Sequence, residues 1–144
     1  MVGAAGELTR SIGEPEIDAA VGRQAPVVIE ILRQRRDEGQ LGDDVVVHIG
    51  NNGNLSTEQF DEVMKELKGV RKVVFVNVKV PRSWEQPNND VLAEGVRRCS
   101  NAVLADWHAA SANRPEFFWE DGYHIRPEGQ QVYADLIAAQ LESS

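Results

Sequence analysis

The sequence has one cysteine, no long apolar run and too few cations to balance its anions, and each shortage removes a class of function. Cys99 stands alone, so neither an internal disulfide nor a multi-thiolate metal site can form. Fifteen Lys and Arg face 23 Asp and Glu, for a formal charge of -8. Such a field repels a phosphate backbone and excludes nucleic acid as a partner. No apolar stretch approaches the length that crosses a bilayer, and Met1-Val2-Gly3-Ala4-Ala5-Gly6 has neither a basic leader nor a long apolar core. The expectation is a soluble chain without a signal peptide. Internal repeats, low-complexity tracts and linkers are also missing, and 144 residues that are 42% hydrophobic fit one domain, residues 1–144.

What is present is an alternation of apolar, β-branched runs with helically periodic segments, the pattern of parallel strands joined by crossover helices, and hence an α/β fold. Val45-Val46-Val47-His48-Ile49 and Val73-Val74-Phe75-Val76-Asn77-Val78 are nearly continuously apolar, as strands covered on both faces are. Weaker strands are expected over 16–19 and 102–107. Helices are expected over 6–11, 26–37, 57–67, 90–98 and 127–141. Ser56 with Gln59 three residues on reads as a capping box, Pro127 suits a first helical turn, and Gly39 and Gly69 suit helix ends. Residues 81–89 read as one polar loop.

Three segments carry the chemistry. In Asp121-Gly122-Tyr123-His124 an acid and a histidine stand three apart just before a helix. The carboxylate can hold one imidazole nitrogen protonated and leave the other free to take a proton from a hydroxyl nucleophile. Alone, the spacing equally describes a helix-entry turn with a solvated histidine. Gly50-Asn51-Asn52-Gly53 follows the first strong strand, where ligands bind in open α/β sheets, and an Asn amide there can donate to an oxyanion. A plain Asn-Gly turn is the alternative. Gly22, before the second helix, offers a backbone N–H as another donor. His48 reads as a hydrogen-bonded core residue, and His48, Asp106 and His108 share no metal-ligand spacing. Arg82, Trp84 and Asn89 suit either a sugar-binding edge or an ordinary surface loop, while Phe117, Phe118 and Trp119 read as core packing.

In this order the segments resemble the SGNH (GDSL-like) hydrolases, and more closely the SGNH domains attached to acyltransferase-3 membrane proteins, among them the peptidoglycan O-acetyltransferases. Asp18-Ala19-Ala20-Val21-Gly22-Arg23-Gln24, Gly50-Asn51-Asn52-Gly53 and Asp121-Gly122-Tyr123-His124 carry the resemblance, joined by Val80-Pro81-Arg82-Ser83-Trp84 and Asp106-Trp107-His108-Ala109-Ala110-Ser111. It implies a three-layer α/β/α fold with a parallel, flavodoxin-like sheet. It also implies His124 as general base, Asp121 as its orienting acid, Gly22 and Asn52 as oxyanion donors, and Gly50, Arg82 and Trp84 at the substrate. The reaction implied is serine-dependent acyl transfer on an acylated carbohydrate or ester, without metal or cofactor. A membrane acyltransferase domain in the same parent chain would place it on the extracytoplasmic face of the cell membrane.

The family's nucleophile sits in a Gly-Asp-Ser block after the sheet's first strand, and neither is found before Met1. The expectation is a fold lacking that strand and inactive without that serine. Ser11 and Ser56 lie in helix positions, and Ser83 lacks the glycine-flanked turn of a nucleophile. Rival readings are a free-standing GDSL-like esterase or lipase, and a carbohydrate-binding module that kept the cleft without catalysis.

Overall fold

The computed structural model describes residues 1–13, 15–18 and 22–143. Nine regular elements follow one another among these: α1 (Ala5–Ile12), α2 (Ala25–Asp37), β1 (Asp44–His48), α3 (Thr57–Glu66), β2 (Lys72–Val76), α4 (Glu85–Arg98), β3 (Ala102–Ala105), α5 (Trp107–Ser111) and α6 (Pro127–Glu142). The strands form one parallel sheet in the order β1-β2-β3, with Val45 beside Val73 and Val73 beside Ala102. Helices cover both faces, as parallel strands joined by crossovers require.

Each face of the sheet closes its own core. Val45, Val47, Val73 and Phe75 pack with α2, α3 and α4, whereas Val46, Val74 and Val76 pack with α1, α5 and α6. The alternation along each strand sends successive side chains to opposite layers. On the first face the Phe60 and Phe75 rings lie 4.7 Å apart. A Cβ on Gly95 would fall 2.4 Å from the Phe60 ring, so only glycine lets α4 approach this closely. On the second face Trp107 meets Phe117, Phe118 and Tyr133.

Several local expectations hold. Ser56 accepts from the Gln59 N–H and Gln59 returns the bond to Ser56, completing the capping box at the start of α3. Gly39 and Gly69 carry φ of 68° and 93°, the left-handed backbone that ends a helix without a Cβ clash.

Five expectations need correction. Residues 16–18 form no strand, and Ala19 lies outside the described residues. β1 stands at the edge of the described sheet rather than at its centre, and its Val45 and Val46 are half-buried while β2 is buried throughout. The segment expected as a loop is helical from Glu85, because Pro87 falls in the first turn of α4, where its missing N–H removes no helical hydrogen bond. Residues 102–107 split: the strand stops at Ala105 and the Asp106 carboxylate caps α5 by accepting from the Ala109 N–H at 3.0 Å. Trp119 also leaves the core, being 51% exposed beneath the Arg126 guanidinium.

His48 is a core residue of the kind expected. Its Nδ1 lies 2.7 Å from the Tyr133 hydroxyl, and its Nε2 is buried without a partner. Burial pushes the imidazole down to about 3. In the unfolded chain it protonates near its ordinary 6.5, so on acidification the unfolded state takes up the proton first. Stability from this group is complete above about pH 6.5 and is lost progressively toward 3, by a few kcal/mol. Urea denaturation at pH 7.5 and 4.5 is expected to show a smaller loss on acidification in His48→Gln than in the unaltered chain.

Candidate active site

The strands all point their carboxyl ends at one rim of the sheet, and the motif segments gather there. The Asp121–His124 turn is built by its own backbone. Phe118 bridges Ile125, Trp119 N–H donates to the His124 carbonyl at 2.9 Å, and Gly122 N–H donates to the Trp119 carbonyl at 2.9 Å. Gly122 adopts φ of 78°, and a Cβ there would come within 3.3 Å of Pro81. Glycine therefore serves both the turn and its seat on the neighbouring loop.

Within this turn Asp121 is held from three directions. Its Oδ1 accepts from the N–H of Tyr123 at 3.0 Å and of His124 at 2.9 Å, while Oδ2 accepts from His124 Nδ1–H. The Tyr123 backbone bond, then the His124 side chain and backbone, draw the carboxylate down to about 2, so it is ionised at neutral pH. An anion on Nδ1 fixes the tautomer that leaves Nε2 unprotonated. The imidazole is half exposed, with 54% of its side chain open to solvent. The Tyr123 ring lies 4.6 Å from it, and the Arg82 guanidinium stands 5.8 Å over the Tyr123 ring.

The second part of the site is the Gly50–Gly53 loop. Asn52 Nδ2 donates to the Arg23 carbonyl at 3.1 Å, joining this loop to the Gly22 segment. The amide keeps a second hydrogen for another acceptor. Gly22 is exposed at φ of 75°. Trp84 Nε1–H donates to the Asn51 carbonyl at 3.2 Å, so Trp84 props the loop. Pro81, Arg82 and Trp84 thus link the two parts, contacting the Asp121–His124 turn on one side and the Asn51–Asn52 loop on the other.

Two asparagines of α4 hold this rim, Asn88 from outside the sequence-derived set and Asn89 from within it. Asn88, 1% exposed, donates through Nδ2 to the carbonyls of Gly50 and Gly53 at 2.8 Å each and accepts from the Leu55 N–H at 2.8 Å. Gly50 is packed directly on this side chain, at φ of 101°. Asn89, which suited either a sugar-binding edge or an ordinary surface loop, is instead buried and exchanges two hydrogen bonds with the backbone of Val78. Recognising Pro87 as a first-turn residue would have moved both asparagines from loop to helix. His108 Nε2 meets Glu85 Oε1 at 3.0 Å, and Glu85 Oε2 accepts from the Val80 N–H at 2.6 Å, tying the linking segment to α4.

Among the described residues no serine hydroxyl bonds His124; Ser11, Ser56 and Ser111 bond Asp135, Gln59 and the Trp107 carbonyl instead. Among the same residues no three His, Cys, Asp or Glu side chains are grouped to hold a metal. A cavity of 580 Å³ adjoins the Gly50–Asn52 loop and Arg23, but neither Asp121 nor His124 lines it.

The chain has counterparts among known proteins. The chain is 34% identical over 144 residues to the O-acetyltransferase OatA of Staphylococcus aureus, an alignment covering 99% of the chain and 24% of that protein. It therefore spans about a quarter of the length of this relative. The C-terminal catalytic domain of peptidoglycan O-acetyltransferase A from Streptococcus pneumoniae superposes with a TM-score of 0.86 at 21% identity, over 98% of this chain and 87% of that one. A protein of Slackia heliotrinireducens provisionally assigned as an SGNH hydrolase superposes with a TM-score of 0.75 at 16% identity, over 96% and 90%. No protein-family model matches.

Proposed function

Because the chain has the SGNH hydrolase fold and is homologous to a segment of the O-acetyltransferases, we propose that it transfers acyl groups on cell-envelope carbohydrate with a nucleophilic serine that this sequence does not contain. The proposal extends to the parent protein: a membrane acyltransferase that carries this domain on the extracytoplasmic face. No helix among the described residues is long and apolar enough to cross a membrane itself.

The observation that carries the reading is the threefold grip on Asp121, which fixes His124 with Nε2 free to accept a proton. His124 takes the serine proton as the hydroxyl oxygen attacks the acyl carbonyl. The resulting oxyanion is met by the remaining N–H of the Asn52 amide and the Gly22 N–H. When the tetrahedral species collapses, the C–O bond to the donor alcohol breaks and His124 returns the proton to that alcohol. An acceptor hydroxyl, from sugar or water, then gives its proton to His124 as it attacks the acyl carbonyl, and His124 returns that proton to the serine oxygen as the serine–acyl C–O bond breaks. Arg82 and Trp84 flank the path between the two halves of the site and are assigned to substrate contact, with Gly50 shaping the loop beside them.

Turnover of p-nitrophenyl acetate tests the reading. A longer form that adds the strand and Gly-Asp-Ser block upstream of Met1 is expected to hydrolyse the ester, and the 144-residue chain is expected to be silent. Equal turnover by both would place the nucleophile within the present sequence and overturn that part of the proposal.

A further inference from the structure

Trp119 and His124 stand opposite each other across a short antiparallel ladder. Trp119 N–H donates to the His124 carbonyl at 2.9 Å and Arg126 N–H donates to the Phe117 carbonyl at 2.7 Å, on either side of the Phe118–Ile125 bridge. Phe118 and Ile125 face the core beneath α1 and α6. Side chains alternate along such a ladder, so Trp119 and His124 face outward together. Both are open to solvent, Trp119 at 51% and the His124 side chain at 54%. The Tyr123 ring lies 4.6 Å from the imidazole, the Arg82 guanidinium 5.8 Å over Tyr123, and the Arg126 guanidinium 4.4 Å over Trp119. The rim therefore carries a row: the imidazole in the middle, an aromatic ring on each side, and an arginine at each end.

The fold accounts for neither arginine. Among the described residues every other arginine lies within ion-pair distance of an Asp or Glu, whereas Arg82 and Arg126 have no such partner. Two unpaired arginines on one short row are unexpected in a chain of formal charge -8. Arg126 Nε is moreover buried without a hydrogen-bond partner. Its side chain makes no capping bond where it stands before α6, and a cation there opposes the helix dipole. Residues that break a local rule at a cost to the fold belong where a ligand needs them.

We propose that this row is the acceptor subsite and that the acceptor is an acidic sugar. The open indole of Trp119 takes the C–H face of the pyranose, and Arg126 takes the carboxylate through its paired N–H donors. Arg82 serves a second carboxylate beyond Tyr123. A hydroxyl of the stacked ring is thereby presented to His124, opposite Trp119. A neutral glycan would stack but leave both guanidinium groups unmatched, and a small carboxylate would pair with one arginine but leave the indole bare. The role as acceptor rests on the acyl-transfer reading, whereas binding of the sugar does not.

The probe is a hexamer of β-1,4-linked glucuronic acid, and the control is cellohexaose, which has the same backbone with CH2OH in place of each carboxylate. Titration of the unaltered 144-residue chain is followed by calorimetry and by the indole N–H resonances. Saturable binding of the acid is expected, with the Trp119 resonance shifted and cellohexaose bound about tenfold more weakly. Trp119→Ala, a change at an open position, is expected to weaken the acid about tenfold. Arg126→Gln is expected to weaken the acid by about the same factor and leave cellohexaose as it was, a difference that a merely structural role of Arg126 would not produce. No binding of the acid, or an unshifted Trp119 resonance with unchanged affinity in Trp119→Ala, would overturn the subsite. Equal affinity for the two hexamers would overturn its preference for acid. Silence of the serine-containing form toward p-nitrophenyl acetate would instead overturn the acyl-transfer reading and the acceptor role with it, and would leave the sugar site standing.

Discussion

Asp121→Asn is expected to lower kcat for ester turnover in the serine-containing form by about 10³- to 10⁴-fold with little change in KM. The present carboxylate accepts from His124 Nδ1–H and from two backbone N–H groups. An asparagine oxygen can keep the backbone bonds, but its amide nitrogen would donate toward Nδ1. That bond selects the tautomer with Nε2 already protonated, which cannot accept the serine proton. The fold should not feel the change, because Asp121 lies on an exposed turn, and the melting temperature is expected to stay within a few degrees. The pH dependence adds a second readout. With Asp121 drawn down to about 2 by its backbone and imidazole partners, the carboxylate remains ionised throughout a normal assay range. Acidification within that range therefore leaves the Asp121 carboxylate able to accept from His124. A loss of less than tenfold in Asp121→Asn would show that His124 is not oriented by this carboxylate during catalysis.

Asn88→Ala is expected to have the largest effect on stability of any single change at the rim. Truncation removes three hydrogen bonds, to the carbonyls of Gly50 and Gly53 and from the N–H of Leu55, at a site that is 1% exposed. Buried groups left without partners cost about 1 to 3 kcal/mol each, and rearrangement recovers part of that sum. A net destabilisation of about 3 kcal/mol is expected, equivalent to a melting temperature lower by roughly 10 °C. In the serine-containing form kcat should fall beyond what instability explains, because Asn88 shapes the loop that carries Asn52. Asn88→Asp separates the two roles: it can still accept from Leu55 N–H, but it can no longer donate to the two carbonyls. Measured at a temperature where each variant is fully folded, unchanged kcat in both would limit Asn88 to a structural role.

The sequence by itself determined the features whose causes act over a few residues. Apolar β-branched runs specify strands, and the Ser56–Gln59 box and Pro127 specify where helices begin, because capping and backbone restriction are local. Asp121 and His124 are legible for the same reason: three residues and one glycine turn suffice to bring carboxylate and imidazole together. Only the tertiary structure decided the parallel order β1-β2-β3, since that order rests on contacts between residues far apart in the chain. The same holds for Trp119, hydrophobic in type but covered by Arg126 rather than by the core. Asn88 was hidden for a further reason. Its partner Gly50 lies 38 residues away, and no periodicity or spacing records a side chain reaching across the fold to bond another segment's carbonyl. Local chemistry therefore wrote the Asp121–His124 turn into the sequence, while long-range packing assembled the Gly50–Gly53 loop.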